Sequence, residues 1–394
     1  MGSAARAIKI FQESLGPEYK SAPEIAIDLV RYGSCLKLSP GEYFTYGFHA
    51  RKTSRPQILS YLTSADHFTA HLPTVNGKKS DILQNKLLFK SKITKFGIHV
   101  PETIGYTGPT PISELPFEYI TPSSICGLLS SRGISRFIVK PSKGAQGKGV
   151  HAVSYFPESI KPFIINSLSL STGDFFKMLA KSSGKLDQQY ILFEELVSGS
   201  GDFKNISADC APSIRVVTLK EPNGKIHVTA ASIRLGRKGS VTSNESTGGL
   251  VGEVKVEKGV ITACKTSSSM DGIFIQLHPD TCSPIAGVQI PYWDEVVALC
   301  IRAAAVIPNI NSVGWDVLVN NGRPVILEGN SRWGITTEQI FGSGYLSPKT
   351  RQILSLYGLR FPDRELPRPF VRNIRTAMFG ISHPTIQNKS RHPG

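Results

Sequence analysis

The sequence predicts an α+β protein built from several packed units. Three observations carry that prediction. In RFIVKPSKGAQGKGVHAVSY an apolar strand runs into a glycine-rich turn and a second strand follows at once. The segments SIRVVTL, IHVTAASIRL and VGEVKVEKGVITA alternate in the manner of a β-rich unit with hairpins. WDEVVALCIRAAAVIP carries apolar residues at helical spacing. With 394 residues the chain is long enough for two or three units with sizeable cores.

Taken in order, residues 1–80 form a mostly helical N-terminal extension, with helix-like stretches in ARAIKIFQESL and APEIAIDLVRYG. DILQNKLLFKSKITKFGIHVPET reads as one amphipathic helix ended by Gly97, then an extended piece reaching Pro101. Residues 107–125, rich in Thr, Pro and Ser, form a connection. The strand–turn–strand unit follows, then a helix in TGDFFKMLAKSS and a short strand in YILFEELV. Beyond the β-rich stretch, GWDVLVNNGRPVILEGN predicts a hairpin whose turn centres on Asn321-Gly322. RELPRPFVRNIR predicts a last helix before a basic tail. The expected divisions are 1–80, 81–125, 126–197 (a lid bearing the glycine loop), 198–345 (a C-terminal catalytic unit) and 346–394.

Composition narrows the function classes. No run of eighteen or more apolar residues occurs, so no transmembrane segment is expected. The N-terminus has neither the apolar core of a secretory signal nor a myristoylation pattern, which points to a cytoplasmic protein. The six cysteines are scattered singly, as reduced thiols in such a compartment would be. Lys and Arg total 45 against 30 acidic residues, a net charge of +15. An excess of this size speaks of partners: nucleic acid, an acidic polymer, an anionic membrane surface or several phosphate-bearing ligands. Nucleic acid is disfavoured, because no RGG tract, zinc finger or RNP-type signature is present. Oligomeric state is open, a homodimer being one option.

Four local patterns carry chemistry. In KPSKGAQGKG, Gly144, Gly147 and Gly149 let the backbone turn with its N–H groups outward. With Lys140, Lys143 and Lys148 they make a cradle for phosphate oxygens. The spacing is too short for a Walker A loop, and a strand rather than a helix follows, which excludes the dinucleotide fingerprint. Taken alone, the segment can also be read as a basic β-hairpin turn, with phosphate binding the favoured reading. In the hairpin, Asp316, Glu328 and Asn330 share one face if the loop holds three residues, and would suit Mg2+ and phosphate oxygens. A two-residue turn would put the two carboxylates on opposite faces. YILFEELVSGSGDF is an apolar strand ending in paired acids, followed by a Ser/Gly turn that can offer main-chain groups to a purine edge. Either a Glu or Asp202 can reach ribose hydroxyls. Arg215 and Arg234 project from strands and can stabilise a transferring phosphoryl group or pair with a substrate carboxylate.

The order of these patterns resembles the ATP-grasp superfamily. A helix lysine precedes GIHVP, then come VKPSKGAQGKGV, FEE, an arginine strand and WDV…LEGN, over about residues 81–334. SIRLGRKGSVTSNESTGGLVGEV, LHPD and GVQIPYW narrow the likeness to the sugar-transfer-associated group, related to the glutamate-ligase branch. The resemblance implies a fold of two α/β subdomains gripping ATP, with Lys86 and Lys140 on the phosphates and Mg2+ at Asp316, Glu328 and Asn330. It further implies Glu194, Glu195, Leu196 and Val197 around adenine, Asp202 toward ribose, and Arg234, then Arg215, on developing charge, with Arg332 and Trp333 shaping the acceptor pocket. The implied activity is carboxylate–amine ligation through an acyl phosphate, on a small-molecule, acidic sugar or peptide substrate of cell-surface polysaccharide synthesis. A small-molecule or sugar phosphotransferase of the same fold, and a non-catalytic polyanion-binding module, are the alternatives.

Overall fold

The computed structural model describes residues 16–77, 81–144, 147–182, 189–197, 203, 205–207, 210–240, 242–245 and 248–361. The helices expected in ARAIKIFQESL and RELPRPFVRNIR, and the candidate ribose ligand Asp202, lie outside the described residues.

Helix α1 (Ala22–Leu36) opens with a capping box in which Ser21 N donates to Glu24 Oε2 at 2.7 Å, and it ends at Lys37 in the left-handed region. The long helix expected from Asp81 to Gly97 is broken instead. A turn at Asp81–Gln84 stops at Asn85, whose side chain accepts from Leu87 N and Leu88 N and starts α2 (Lys86–Ile93). Asparagine offers the backbone a local partner, so it favours a cap over a helix interior. The restart puts Lys86 in the first position of α2, where its N–H donates to Ser142 O beside the glycine loop.

Strands β1 (Thr103–Thr107), β2 (Arg136–Pro141), β3 (His151–Tyr155), β4 (Phe163–Ile165), β5 (Leu168–Leu170) and β6 (Ile191–Glu195) form an antiparallel sheet in the order β1-β6-β2-β3-β4-β5. Helices α3 (Ile125–Ser131) and α4 (Thr172–Ser182) cover it. Phe137, Phe163, Phe175 and Phe193 fill the space between them, with Phe163 and Phe175 stacked at 4.3 Å. Aromatic rings at this density bury most apolar area per residue, which suits a small sheet.

The second sheet holds β7 (Ser213–Lys220), β8 (Ile226–Leu235), β9 (Leu250–Lys255), β10 (Val260–Lys265), β11 (Phe274–Ile275), β12 (Ser312–Asn320) and β13 (Arg323–Asn330). Their order is β11-β10-β9-β8-β7-β12-β13, antiparallel throughout. Helix α5 (Trp293–Val306) lays Val296, Leu299, Cys300 and Ala303 on its inner face, against Ile214, Val216 and Val317. The opposite face is covered by the N-terminal helical turns and by α6 (Pro348–Ser355), with Val217, Leu219 and Trp333 in that core. Asn76 ties the N-terminal turns to this sheet: its Nδ2 donates to Ser312 O and Ser331 O, and its Oδ1 accepts from Ser312 N.

The β12–β13 hairpin corrects one expectation. Its turn holds two residues, since Asn320 pairs with Arg323. Asn321 (φ 46°) and Gly322 (φ 75°) are both left-handed, as a type I′ turn requires. Continued regularly, that register would set Asp316 opposite Leu327. A β-bulge at Leu327 takes up one residue, and Asp316 pairs with Glu328 after all.

Candidate functional site

The register now places a polar row across four strands: Ser232 pairs with Arg215, Arg215 with Asp316, and Asp316 with Glu328. Residues opposite one another in adjacent strands point to the same face, so the row is one surface. Asn330 joins it: its Nδ2 lies 3.2 Å from Asp316 Oδ2 and 3.4 Å from Glu328 Oε1. Gly314 makes the row possible, because a Cβ there would stand 2.8 Å from Trp333 Cβ and 3.2 Å from Arg215 Cδ.

Arg215 holds Asp316 with two parallel bonds, Nε to Oδ1 at 2.7 Å and Nη2 to Oδ2 at 3.1 Å. Arg234 Nη1 adds a contact to Oδ1 at 3.4 Å. Burial would raise the Asp316 carboxyl, but Arg215 and then Arg234 hold it below its usual range. This revises the role expected of Arg215. Buried and fully engaged by Asp316, it is a buttress for that carboxylate, and Arg234 is the arginine left with the looser tie. Glu338 adds a further acid: its Oε1 accepts from Ser232 Oγ, its Oε2 has no partner, and burial pushes it up to about 6.

Facing this row across a cleft are the glycine loop and β2. Lys86 Nζ donates to Gly144 O at 2.9 Å and stands 3.4 Å from Glu328 Oε2, so it bridges the two sides. Gly144, Gly147 and Gly149 all have positive φ. At Gly147 a Cβ would lie 2.5 Å from Asn244 Nδ2, so the loop rests directly on the segment beyond β8. The cavity so enclosed measures about 730 Å³, within the ~300–1,000 Å³ of small-molecule sites.

Lys86, Lys140, Gly144, Gly147 and Lys148 line it, as do Glu194, Glu195, Leu196 and Val197. Arg215, Arg234, Asp316, Glu328 and Asn330 complete the floor. Lys143 and Gly149 do not reach the wall, and Lys143 instead gives its backbone oxygen to Gln189 Nε2 at 2.5 Å. Glu194 also departs from expectation. Its carboxylate is buried between two lysines, Lys90 Nζ at 2.7 Å and Lys140 Nζ at 2.7 Å, rather than offered to a base. Glu195, nearer solvent, accepts from Glu102 N at 3.1 Å and from Asn320 Nδ2 at 3.4 Å.

Several lining residues were not legible in the sequence. Pro101, Ile138, Leu318 and Leu327 join Leu196 and Val197 as apolar lining. They are ordinary core-type residues, and only the meeting of the sheets sets them apart. Phe68, from the N-terminal turns, lines the cavity too, with the Arg332 guanidinium over its ring, 5.8 Å from the ring centre. Lys90 carried one signal, its i,i+4 spacing from Lys86 on α2, which places both on one helix face.

Chemically, the cavity combines apolar lining, a set of cations and the paired carboxylates of β12 and β13. Six cationic side chains (Lys86, Lys140, Lys148, Arg215, Arg234, Arg332) line it against five carboxylates (Glu194, Glu195, Glu245, Asp316, Glu328), a small surplus of positive charge that suits a polyphosphate. The donor set of two carboxylates and one amide suits Mg2+, which keeps waters and phosphate oxygens in its shell and rarely takes an all-protein cage. Among the described residues no group of three or more His, Cys, Asp or Glu gathers to hold a metal.

A nucleotide-gripping cleft between two antiparallel sheets is the hallmark of the ATP-grasp fold. Residues 69–354 match the family of sugar-transfer associated ATP-grasp proteins, and the chain belongs to that family. ATP with Mg2+ is its cofactor pair. No curated protein matches the sequence. Among solved structures it is similar to biotin carboxylase from Campylobacter jejuni, at 13% identity over 72% of this chain and 48% of that one, with a TM-score of 0.41. It is also similar to D-alanine–D-alanine ligase from Bacillus anthracis, at 12% identity over 71% and 64%, with a TM-score of 0.35. A carboxyaminoimidazole ribonucleotide synthetase in its ADP complex aligns at 11% identity over 73% and 54%, with a TM-score of 0.37. The chain thus spans about half to two thirds of the length of these proteins, and the family match is what assigns it. Among the described residues no helix is long and apolar enough to cross a membrane.

Proposed function

We propose that this protein is an ATP-dependent carboxylate–amine ligase acting on an acidic sugar or peptide precursor. The observation that carries the reading is the lining of the cavity. Beside its cations and carboxylates it takes in Phe68, Arg332, Trp333 and Thr337. A hydrolase of ATP alone has no need of those additional walls.

In this reading the adenine lies against the apolar lining and the triphosphate lies among Lys86, Lys140, Lys148 and the glycine loop. A substrate carboxylate oxygen attacks the γ-phosphorus and ADP leaves, giving an acyl phosphate. An amine then attacks the acyl carbon, the proton passes to solvent or a nearby carboxylate, and inorganic phosphate leaves. Mg2+, held by Asp316, Glu328 and Asn330, would neutralise charge on the phosphate oxygens. Arg234 faces the same charge, while Arg215 keeps Asp316 ionised and oriented. Closure of the glycine loop on Asn244 shields the acyl phosphate from water. Arg332, over the Phe68 ring, can take a carboxylate or phosphate of the acceptor with its forked N–H groups.

The test is a screen of acid and amine pools for coupled ADP release, with the product weighed by mass spectrometry. Glu328→Gln and Lys140→Ala should each lower turnover by about 100-fold or more. ADP release that needs no amine, with a stable phosphorylated product, would replace ligation by phosphotransfer. The net charge of +15 adds an expectation about the acceptor. Its KM should climb steeply between low and moderate salt, far more than the affinity for ATP changes. A salt-insensitive acceptor KM would argue for a neutral substrate.

A further inference from the structure

Beneath the phosphate-facing side of the cavity, three charged side chains are buried together. Lys90, on the second turn of α2, has a fully buried side chain, and its Nζ stands 2.7 Å from Glu194 Oε1. Lys140, at the end of β2, stands 2.7 Å from the other oxygen, Oε2. Glu194 Oε1 has no aligned hydrogen bond, so its tie to Lys90 is the attraction of two charges in contact. Lys90 has a second anchor: its Nζ donates to Pro101 O at 2.7 Å. Among the described residues Lys140 has no other side-chain partner, and it lines the cavity whereas Lys90 does not.

The arrangement holds one cation more than a neutral pair requires. A buried carboxylate stripped of its only partner is strongly destabilised. If Lys140 were the sole partner of Glu194, turning it to a phosphate would leave that carboxylate orphaned. With Lys90 fixed behind, Glu194 stays paired. Burial acts to raise the Glu194 carboxyl, yet Lys140 and Lys90 together hold it below its usual range. Burial also pushes the Lys90 ammonium down to about 8, against the pull of Glu194, so it remains mostly charged at neutral pH.

We infer that Lys90 is a positioning residue of the nucleotide site, a fixed counter-cation that keeps Glu194 paired and so releases Lys140 to the polyphosphate. The inference rests on the reading of Lys140 as a phosphate-binding lysine. It gives the buried lysine a role in ATP affinity without any contact to ATP.

MgATP affinity, measured by calorimetry on the full chain, tests it without knowledge of the other substrates. Lys90→Met should weaken MgATP by about 100-fold, because Lys140 then stays on Glu194. Adding Glu194→Gln to Lys90→Met should restore affinity to within a few-fold, since nothing then retains Lys140. The conservative Lys90→Arg should bind MgATP nearly as the native chain does, and adenosine should bind Lys90→Met unchanged. A double variant no better than Lys90→Met would overturn the inference, as would native MgATP affinity in Lys90→Met. Loss of adenosine binding in Lys90→Met would overturn it too, in favour of a purely structural lysine. Lys140→Ala separates the two levels: unchanged MgATP affinity in that variant would remove the phosphate reading of Lys140 itself.

Discussion

Asp316 and its two arginines show how the same residue type acquires different duties a few ångströms apart. Arg215 is buried and makes two short bonds to the carboxylate, while Arg234 reaches it with one at 3.4 Å. Removing a partner from a buried charge costs far more than removing a loose contact. Arg215→Ala should therefore lower folding stability by about 3–5 kcal/mol, read as a shift in the urea midpoint. Arg234→Ala should cost at most about 1 kcal/mol of stability but reduce turnover about 100-fold. Equal destabilisation by the two would show that the arginines share Asp316 evenly. At this scale the sequence is legible where residue chemistry is distinctive. A lysine before a glycine loop and an acid ending an apolar strand both stand out. It is illegible where chemistry is common: beyond its spacing from Lys86, nothing local marks Lys90 as the lysine of α2 that is fully buried against Glu194.

At the scale of the element, the β12–β13 hairpin carries the site, and its geometry depends on one extra residue. The Asn-Gly turn was readable, because few residue pairs accept two successive left-handed conformations. The bulge was not, because Leu327 has no side-chain property that demands it. Its effect shows only in the paired ladders, where it sets Glu328 rather than Leu327 opposite an Asp316 that faces Arg215 on its other side. Deleting Leu327 should give a regular two-residue hairpin that still sets Glu328 opposite Asp316, because Glu328 then follows Ile326 directly. The expected result is MgATP turnover kept to within about tenfold with an unchanged far-UV spectrum. Loss of turnover by about 100-fold or more would mean that the site needs the bulge itself and not only the Asp316–Glu328 pairing. Asn85 gives a second case. The apolar spacing across residues 81–96 is helical, but the cap at Asn85 interrupts it and sets the start of α2.

Across the whole molecule, the N-terminal turns are joined to the site by a buried histidine pair. His67 Nε2 lies 2.8 Å from Trp333 O, and His71 Nδ1 lies 3.0 Å from His67 Nδ1, on a π-helical turn at His67–His71. Burial lowers His67 to about 4, and burial with His67 as neighbour holds His71 well below its usual range. A histidine depressed in the folded state binds its proton more readily when unfolded. The stability it contributes is complete above pH 6.5 and is lost as pH falls toward 4. His67 alone should remove about 2 kcal/mol between pH 7 and pH 5, before carboxylates near 4 titrate appreciably. Urea midpoints at the two pH values give the measure, and His67→Gln should flatten the slope. A flat native profile would place a charged histidine in that core.

The sequence by itself determined the α+β class, the glycine loop, the acid-ended hairpin and the family, because these depend on local backbone freedom and on residue types in a fixed order. Tertiary structure alone decided which charges are paired. Arg215 became a buttress, Glu194 turned to two lysines rather than to a purine edge, and Phe68 reached the cavity from about 250 residues away in the chain. Charge pairing depends on distance and burial, and neither is set until the two sheets close on one another.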